Sequence, residues 1–360
     1  MDSSLRRYPS WGESGQQNLW FHYLATALWL LCCEMLQMKK ILITGVAGMI
    51  GSHLMDSLLE KDCSVIGIDD LSVGKEENIR HQLNNKNFFF EKIDVLDFSK
   101  LQEVSQKIDI IVHLAATKKI GEDGSGFHTL TVNTKGTENI LELAKKNRCK
   151  IIVASTSDVY GMSPDLPLRE DGDLLLGPSM IKRWSYAVSK LYCEQLAFAY
   201  HKEFNVPIVV LRYFGGFSPR SSFSWSGGHI PLFVDAILKN EELIIHGNGK
   251  QTRSMGYVTD LVEGTLLAME NLLAVGQIIN IGNDEEMSVL DTAYLISEVA
   301  NTGNDLKIKF IPFEEIFGKY KDIMRRVPYL TKAKELLGYK PKVGLKEAIK
   351  ITIEEHRKKS

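Results

Sequence analysis

At 360 residues, 44% of them apolar and 24% charged, the chain has room and core for one large α/β domain or for one with a smaller lobe. A net charge of −2 excludes the strongly basic surface that nucleic acid or an anionic membrane would select. The five cysteines (Cys32, Cys33, Cys63, Cys149, Cys193) form no C-x-x-C pair and the nine histidines no H-x-x-x-H cluster, so we expect reduced thiols, a cytoplasmic setting and no metal site.

Residues 1–37 differ from the rest. Leu19 to Leu36 is mostly apolar and about long enough to span a bilayer. His22 and Glu34 interrupt it, and it runs into Met38-Lys39-Lys40 with almost no spacer. We expect an extension outside the fold, with translation able to start at Met38. A peripheral amphipathic helix and a signal anchor with Arg6 and Arg7 on the cytoplasmic side are the alternatives.

From Met38 the apolar run Ile41-Leu42-Ile43 predicts a buried parallel strand, and it stops at Gly45, Gly48 and Gly51. Met49, Ile50, Leu54, Leu58 and Leu59 then recur with helical spacing. A strand turning on glycine into a helix exposes backbone N–H groups that suit a pyrophosphate. The next strand, Val65 to Ile68, ends in Asp69, where a carboxylate meets a ribose diol about 20 residues past such glycines. Residues 71–86 read as a solvated helix or loop, and Phe88 to Glu91 as a third strand. Asp94 and Val95 follow it; Asp94 can reach an adenine amino group, while Asp97 or Ser99 can cap a helix.

Asp109 to His113 predicts a fourth strand ending in Leu114, Ala115 and Ala116, small enough to let a cofactor lie against the backbone. A long helix is expected over 126–147, with an apolar stripe of Leu130, Val132, Ile140, Leu141, Leu143 and Ala144. Asn133 among them is either a satisfied core amide or a cofactor contact. Ile151 to Ala154 is a fifth strand ending in Ser155-Thr156-Ser157-Asp158; a helix from Ser185 to Phe204 and a strand over 207–212 follow. Such alternation implies a doubly wound parallel sheet of Rossmann type. We expect a dinucleotide-binding domain over 38–213 and a substrate-binding lobe over 214–360 that partly returns to the sheet. Its segments fall at 243–246, 261–273, 277–281, 289–300 and 308–311.

Tyr186 and Lys190 lie four apart on one helical face. Tyrosine, with a pKa of about 10, is a poor base at neutral pH. A neighbouring Lys charge and an oxidised nicotinamide would together stabilise the phenolate and bring its pKa toward the operating range, and Thr156 can hold the hydroxyl being deprotonated.

The ordered set Thr44-Gly45-x-x-Gly48-x-x-Gly51, Asp69, Asp94, Leu114-Ala115-Ala116, Asn133, Ser155-Thr156-Ser157 with Val159-Tyr160-Gly161, and Tyr186-x-x-x-Lys190 resembles the extended short-chain dehydrogenase/reductase family of nucleotide-sugar epimerases, dehydratases and decarboxylases. The resemblance implies bound NAD, a homodimer, and catalytic roles for Thr156, Tyr186 and Lys190. Dehydratases carry Thr-Asp-Glu where this chain has Thr156-Ser157-Asp158, which argues against dehydration. Glucuronate decarboxylases resemble the chain in Ser-Thr-Ser-x-Val-Tyr-Gly, in Arg-Trp-x-Tyr around Trp184 and in an Arg before Pro near Arg326, with Glu at the place of Asp158. Hexose 4-epimerases resemble it in Lys118-Lys119-Ile120-Gly121-Glu122, which implies Lys118 beside the nicotinamide ribose.

The resemblance further implies that Arg253 and Arg326 hold a nucleotide diphosphate, most simply of a UDP-sugar, with Ser157 and Asp158 also facing substrate. Gly215 stands where relatives carry Asn. On this reading the chain is an NAD-dependent nucleotide-sugar 4-epimerase. Decarboxylation of a nucleotide-linked uronic acid is the alternative reaction, and a non-catalytic NAD-binding protein the alternative of another class.

Overall fold

The computed structural model describes residues 38–118, 126–222, 228–317 and 322–359. The expectations for 1–37, and those for Lys119 to Glu122, lie outside these residues. In chain order the elements are β1 (Lys40–Thr44), α1 (Met49–Leu59), β2 (Ser64–Asp69), β3 (Phe88–Lys92), α2 (Phe98–Val104), β4 (Ile110–His113), α3 (Gly126–Asn147), β5 (Lys150–Thr156), α4 (Trp184–Phe204) and β6 (Ile208–Tyr213). There follow β7 (Gly216–Phe217), α5 (His229–Leu238), β8 (Leu243–His246), β9 (Thr252–Ser254), β10 (Gly256–Tyr257), α6 (Val258–Glu270) and β11 (Gln277–Ile281). The chain then forms β12 (Glu286–Ser288), α7 (Val289–Ala300), β13 (Ile308–Ile311), α8 (Phe313–Phe317), α9 (Thr331–Leu337) and α10 (Leu345–Lys359).

Seven strands form one sheet in the order β11-β6-β5-β4-β1-β2-β3, and every pair in it is parallel. The order reverses between β1 and β4, which opens a crevice at their carboxyl ends, where ligands bind in such sheets. Strands covered on both faces must be apolar on both, and Ile41, Leu42, Ile43, Ile151, Ile152, Val209 and Val210 are all buried. One face packs Leu42, Ile111, Ile151 and Val153 against Ile140, Leu141 and Ala144 of α3 and Ala197 of α4. Each such side chain contributes about 1.5–3 kcal/mol on burial.

The amino-terminal half of the α3 stripe differs from expectation. Leu130 is exposed, as is Phe127, while Thr129, Asn133, Gly136 and Thr137 are buried. This half meets β4 and α4 through polar contacts rather than an apolar seam. Residues 71–86 contain two short 3₁₀ turns, and Asp97 rather than Ser99 caps α2, accepting from Lys100 N–H at 3.2 Å. β11 joins the main sheet beside β6, and β8 pairs with β13 and β9 with β12 apart from it. Among the described residues no helix is long and apolar enough to cross a membrane.

Candidate active site

At the β1–α1 turn the backbone itself is the apparatus. Gly45 has φ +73°, and a Cβ there would stand 2.8 Å from Ala115 N. A Cβ on Gly51 would collide with the carbonyl oxygen of Gly45, so only glycine lets α1 close on the turn. Gly48 is the N-cap and offers no side-chain bond. The first intrahelical bond runs from Ser52 N–H to Gly48 O at 3.1 Å, which places the N–H groups of Met49, Ile50 and Gly51 ahead of it. Gly45 is therefore in close approach to the backbone of Leu114 and Ala115.

Asp69, at the end of β2, is buried and accepts from Ala47 N–H and Leu71 N–H, both at 2.9 Å. Burial raises its pKa, and those two bonds oppose the shift. Each oxygen keeps a lone pair that can accept from a diol. Asp94 is exposed and accepts from Leu96 N–H at 2.9 Å; Val95 is buried, its carbonyl taking Asn139 Nδ2–H at 2.9 Å. Below the turn, Thr44 Oγ1 bonds His113 Nδ1 at 2.8 Å and accepts from Ala115 N–H at 3.2 Å; His113 Nε2 meets Thr137 Oγ1 at 3.0 Å. Burial, and behind it the Lys190 charge, lowers the His113 pKa to about 3, so the imidazole is neutral.

Asn133 is buried and fully engaged. Its Oδ1 accepts from Thr117 N–H at 2.9 Å, and its Nδ2 donates to Thr117 O at 3.1 Å and Ser189 Oγ at 2.9 Å. It clamps the loop after β4 to α4, one turn along from Tyr186.

At the other end β5 delivers Thr156, Ser157 and Asp158, and α4 delivers Tyr186 and Lys190. Thr156 Oγ1 accepts from Asp158 N–H at 3.2 Å, which fixes the strand end. Asp158 is fully buried and is met by three cations: Arg183 Nη2 at 2.8 Å, Lys118 Nζ at 2.8 Å, and Arg326 Nη1. Burial pushes its carboxyl up, but the three charges together overcome that and hold it well below the usual carboxylate range. Arg326 also points to Ser157 Oγ at 3.5 Å. Lys118 lies 5.1 Å from the centroid of the Tyr186 ring. Burial lowers its pKa and Asp158 opposes that.

Lys190 Nζ donates to Ala154 O at 2.8 Å, and the protein's own groups set the Tyr186 phenol above its ordinary value. Burial is the main cause and the Asp158 charge the next, while a bond with Thr156 pulls the other way. Without a cationic ligand beside it, Tyr186 is a protonated phenol.

Arg253 and Arg326 fall on separate elements. Arg253, on β9, donates to Thr252 O and Ile323 O, both at 2.8 Å, and to Asp322 Oδ2 at 2.9 Å. Arg326 reaches back to Asp158. Arg183 was not among the predicted site residues. Its signal was its place three residues, nearly one turn, before Tyr186. Beneath β5, Glu194 is the other carboxylate that sequence reasoning passed over; it takes both Arg212 Nε at 2.9 Å and Arg212 Nη2 at 2.7 Å and bonds Ser155 Oγ, pinning α4 to β5 and β6.

A doubly wound sheet with a glycine turn, an acidic β2 end and Thr-Tyr-Lys at β5 and α4 defines a dinucleotide-dependent short-chain dehydrogenase/reductase. The family model described as GDP-mannose 4,6 dehydratase matches residues 42–352. A UDP-N-acetyl-alpha-D-glucosaminuronate decarboxylase of Bacillus cytotoxicus is 36% identical over 318 residues, 88% of this chain and 97% of that protein. UDP-glucuronic acid decarboxylase 4 of Arabidopsis thaliana is 34% identical over 89% of this chain and 69% of its own. Among solved structures, the UDP-glucuronic acid 4-epimerase of Bacillus cereus, in complex with UDP-glucuronic acid and NAD, superposes with a TM-score of 0.78 at 33% identity, over 89% of this chain and all of that one. The chain belongs to the GDP-mannose 4,6-dehydratase-like family of extended short-chain dehydrogenases/reductases, and within it is a nucleotide-sugar epimerase or decarboxylase.

Proposed function

We propose that the chain is an NAD-dependent decarboxylase of a UDP-linked uronic acid. The observation that carries this reading is the cluster at Asp158, where Lys118, Arg183 and Arg326 set three positive charges against one carboxylate beside Thr156 and Tyr186. Three cations gathered at the sugar end suit a sugar carboxylate better than a neutral hexose. The relatives named as decarboxylases, at 34–36% identity, support the same reading. It departs from the 4-epimerase expected from sequence, and the 4-epimerase of Bacillus cereus keeps that reaction as the alternative.

The residues present fit NAD: a turn without Cβ at Gly45, leading N–H groups on α1, and the paired oxygens of Asp69. When bound, NAD would supply the hydride acceptor and donor for the sugar carbon, and a positive charge that would oppose the rise in the Tyr186 pKa caused by the protein alone. Tyr186 then takes the proton of the C4 hydroxyl, with Thr156 holding that oxygen. With C4 as a ketone, the sugar carboxylate is β to a carbonyl. The C5–carboxylate bond breaks to release carbon dioxide, and its electron pair moves to the C4 oxygen. The donors there, Thr156 and Tyr186 with Lys118 over the ring, stabilise that enolate. Protonation at C5 gives the 4-keto pentose; C4 is then reduced back to the alcohol, with Tyr186 returning its proton to the oxygen, so the product is the UDP-pentose and net redox is zero.

Incubating the protein with UDP-glucuronate and with UDP-N-acetylglucosaminuronate tests this. A UDP-pentose from either supports it; a 4-epimer that retains the carboxylate overturns it. We also propose a homodimer, supported by the exposed Phe127 and Leu130 of α3 and Val188 and Tyr192 of α4. A monomeric mass in sedimentation would contradict that.

A further inference from the structure

His229 opens α5 directly after Gly228, whose φ is +88°. The side chain is 7% exposed, its Nε2 is buried with no hydrogen-bond partner, and its ring packs edge-on against Phe233 at 5.4 Å. Burial first, then the charges of Arg253 and Arg326, lower its pKa to about 3, so the imidazole is neutral. The start of α5 has no side-chain cap and no acid in its first turn, and Pro231 lacks an N–H, which leaves the His229 and Ile230 N–H groups leading the helix.

A buried ring nitrogen left unpaired is unfavourable, and a ligand atom can remove that cost. The electrostatics around it select the ligand. The ring feels the charges of Arg253, which is paired with Asp322, and of Arg326, which is paired with Asp158, and it stands at a positive helix end, which suits an anion over a sugar hydroxyl. We infer that His229, through Nε2–H, donates to a phosphate oxygen of the nucleotide diphosphate that Arg253 and Arg326 flank. This deepens the proposed function and rests on its reading of a UDP-sugar substrate. The imidazole supplies a neutral donor where a third cation would crowd the two arginines.

The test is calorimetric titration of the full chain with UDP and with uridine, for wild type, His229→Phe and His229→Gln. Gln carries an amide nitrogen near the place of Nε2. His229→Phe should bind UDP about tenfold more weakly, His229→Gln should recover most of that loss, and uridine should bind all three alike. UDP affinity in His229→Phe equal to wild type, or a parallel loss for uridine, overturns the inference. Should His229→Phe fail to fold, His229→Asn replaces it, since its amide reaches the Nδ1 place; Gln and Asn variants of equal UDP affinity then overturn the inference. A wild type that binds no UDP overturns the substrate reading and this inference with it. A wild type that binds UDP while His229→Phe matches it overturns the inference alone.

Discussion

At the β1–α1 turn the site is made of backbone: missing Cβ atoms at Gly45 and Gly51, leading N–H groups of α1, and a carboxylate tied by Ala47 and Leu71 N–H. Across the crevice, at Asp158, it is made of charges that arrive from the loop after β4, the start of α4 and the segment before α9. The first region depends on shape and tolerates little change in atom positions. The second depends on balance, since removing Asp158 takes away the carboxylate that the three cations share among the described residues. On the proposed function, chemistry sits where the two meet, on Thr156 and Tyr186.

That comparison can be broken in four ways. The largest effect is expected at the junction: Tyr186→Phe should reduce turnover about 10²–10⁴-fold while UDP titration shows affinity retained. Unchanged turnover would mean that Tyr186 is not the base. Next, Asp158→Asn should destabilise by about 3–5 kcal/mol in a denaturant melt, because it strands buried charge. Asp158→Glu, which keeps the anion, should lose much less. If both variants melt alike, the balance of charge is not what holds this region. Third, Gly51→Val should lower stability by about 1–3 kcal/mol through overpacking against Gly45 and abolish retention of NAD, read by the cofactor released on denaturation. A valine variant that keeps NAD would remove the shape argument.

Smallest per pH unit is a pH slope. His113 has a folded pKa of about 3 against an ordinary value of 6.5. Between those values the unfolded chain binds a proton that the folded chain does not, so stability falls as pH falls from 6.5 toward 3. The slope is about 1.4 kcal/mol per pH unit for one imidazole. His113→Gln should flatten the curve by up to that amount in urea melts across this window. An unaltered slope would mean that His113 titrates normally.

The difference between the regions also explains what could be read from the chain. Gly45, Gly48, Gly51 and Asp69 are local requirements of one strand–turn–helix, so their spacing reports their job. Helix α3 was legible to its ends, Gly126–Asn147, because apolar periodicity in its second half matches its buried face. Its first half was misread at Leu130, since there the buried face is polar and the apolar side chains point outward. Lys118, Asp158 and Arg326 were each named from the sequence, but not their convergence: positions 118, 183 and 326 share no local pattern, and only the fold brings them together. For the same reason the raising effect of burial and of Asp158 on the Tyr186 phenol was not legible, which leaves its acidification to the nicotinamide charge expected beside Lys190. His229 carried no signal, being a lone histidine after two glycines.

The central claim is that the charge surplus at Asp158 serves a uronic acid which loses its carboxylate. Incubation of the protein and NAD with UDP-glucuronate labelled with ¹³C at C6, followed by ¹³C NMR, tests it directly. The account predicts that the carboxylate resonance decays while labelled bicarbonate grows in equal amount and unlabelled UDP-pentose accumulates. A label that stays on the sugar while the C4 configuration inverts would contradict it.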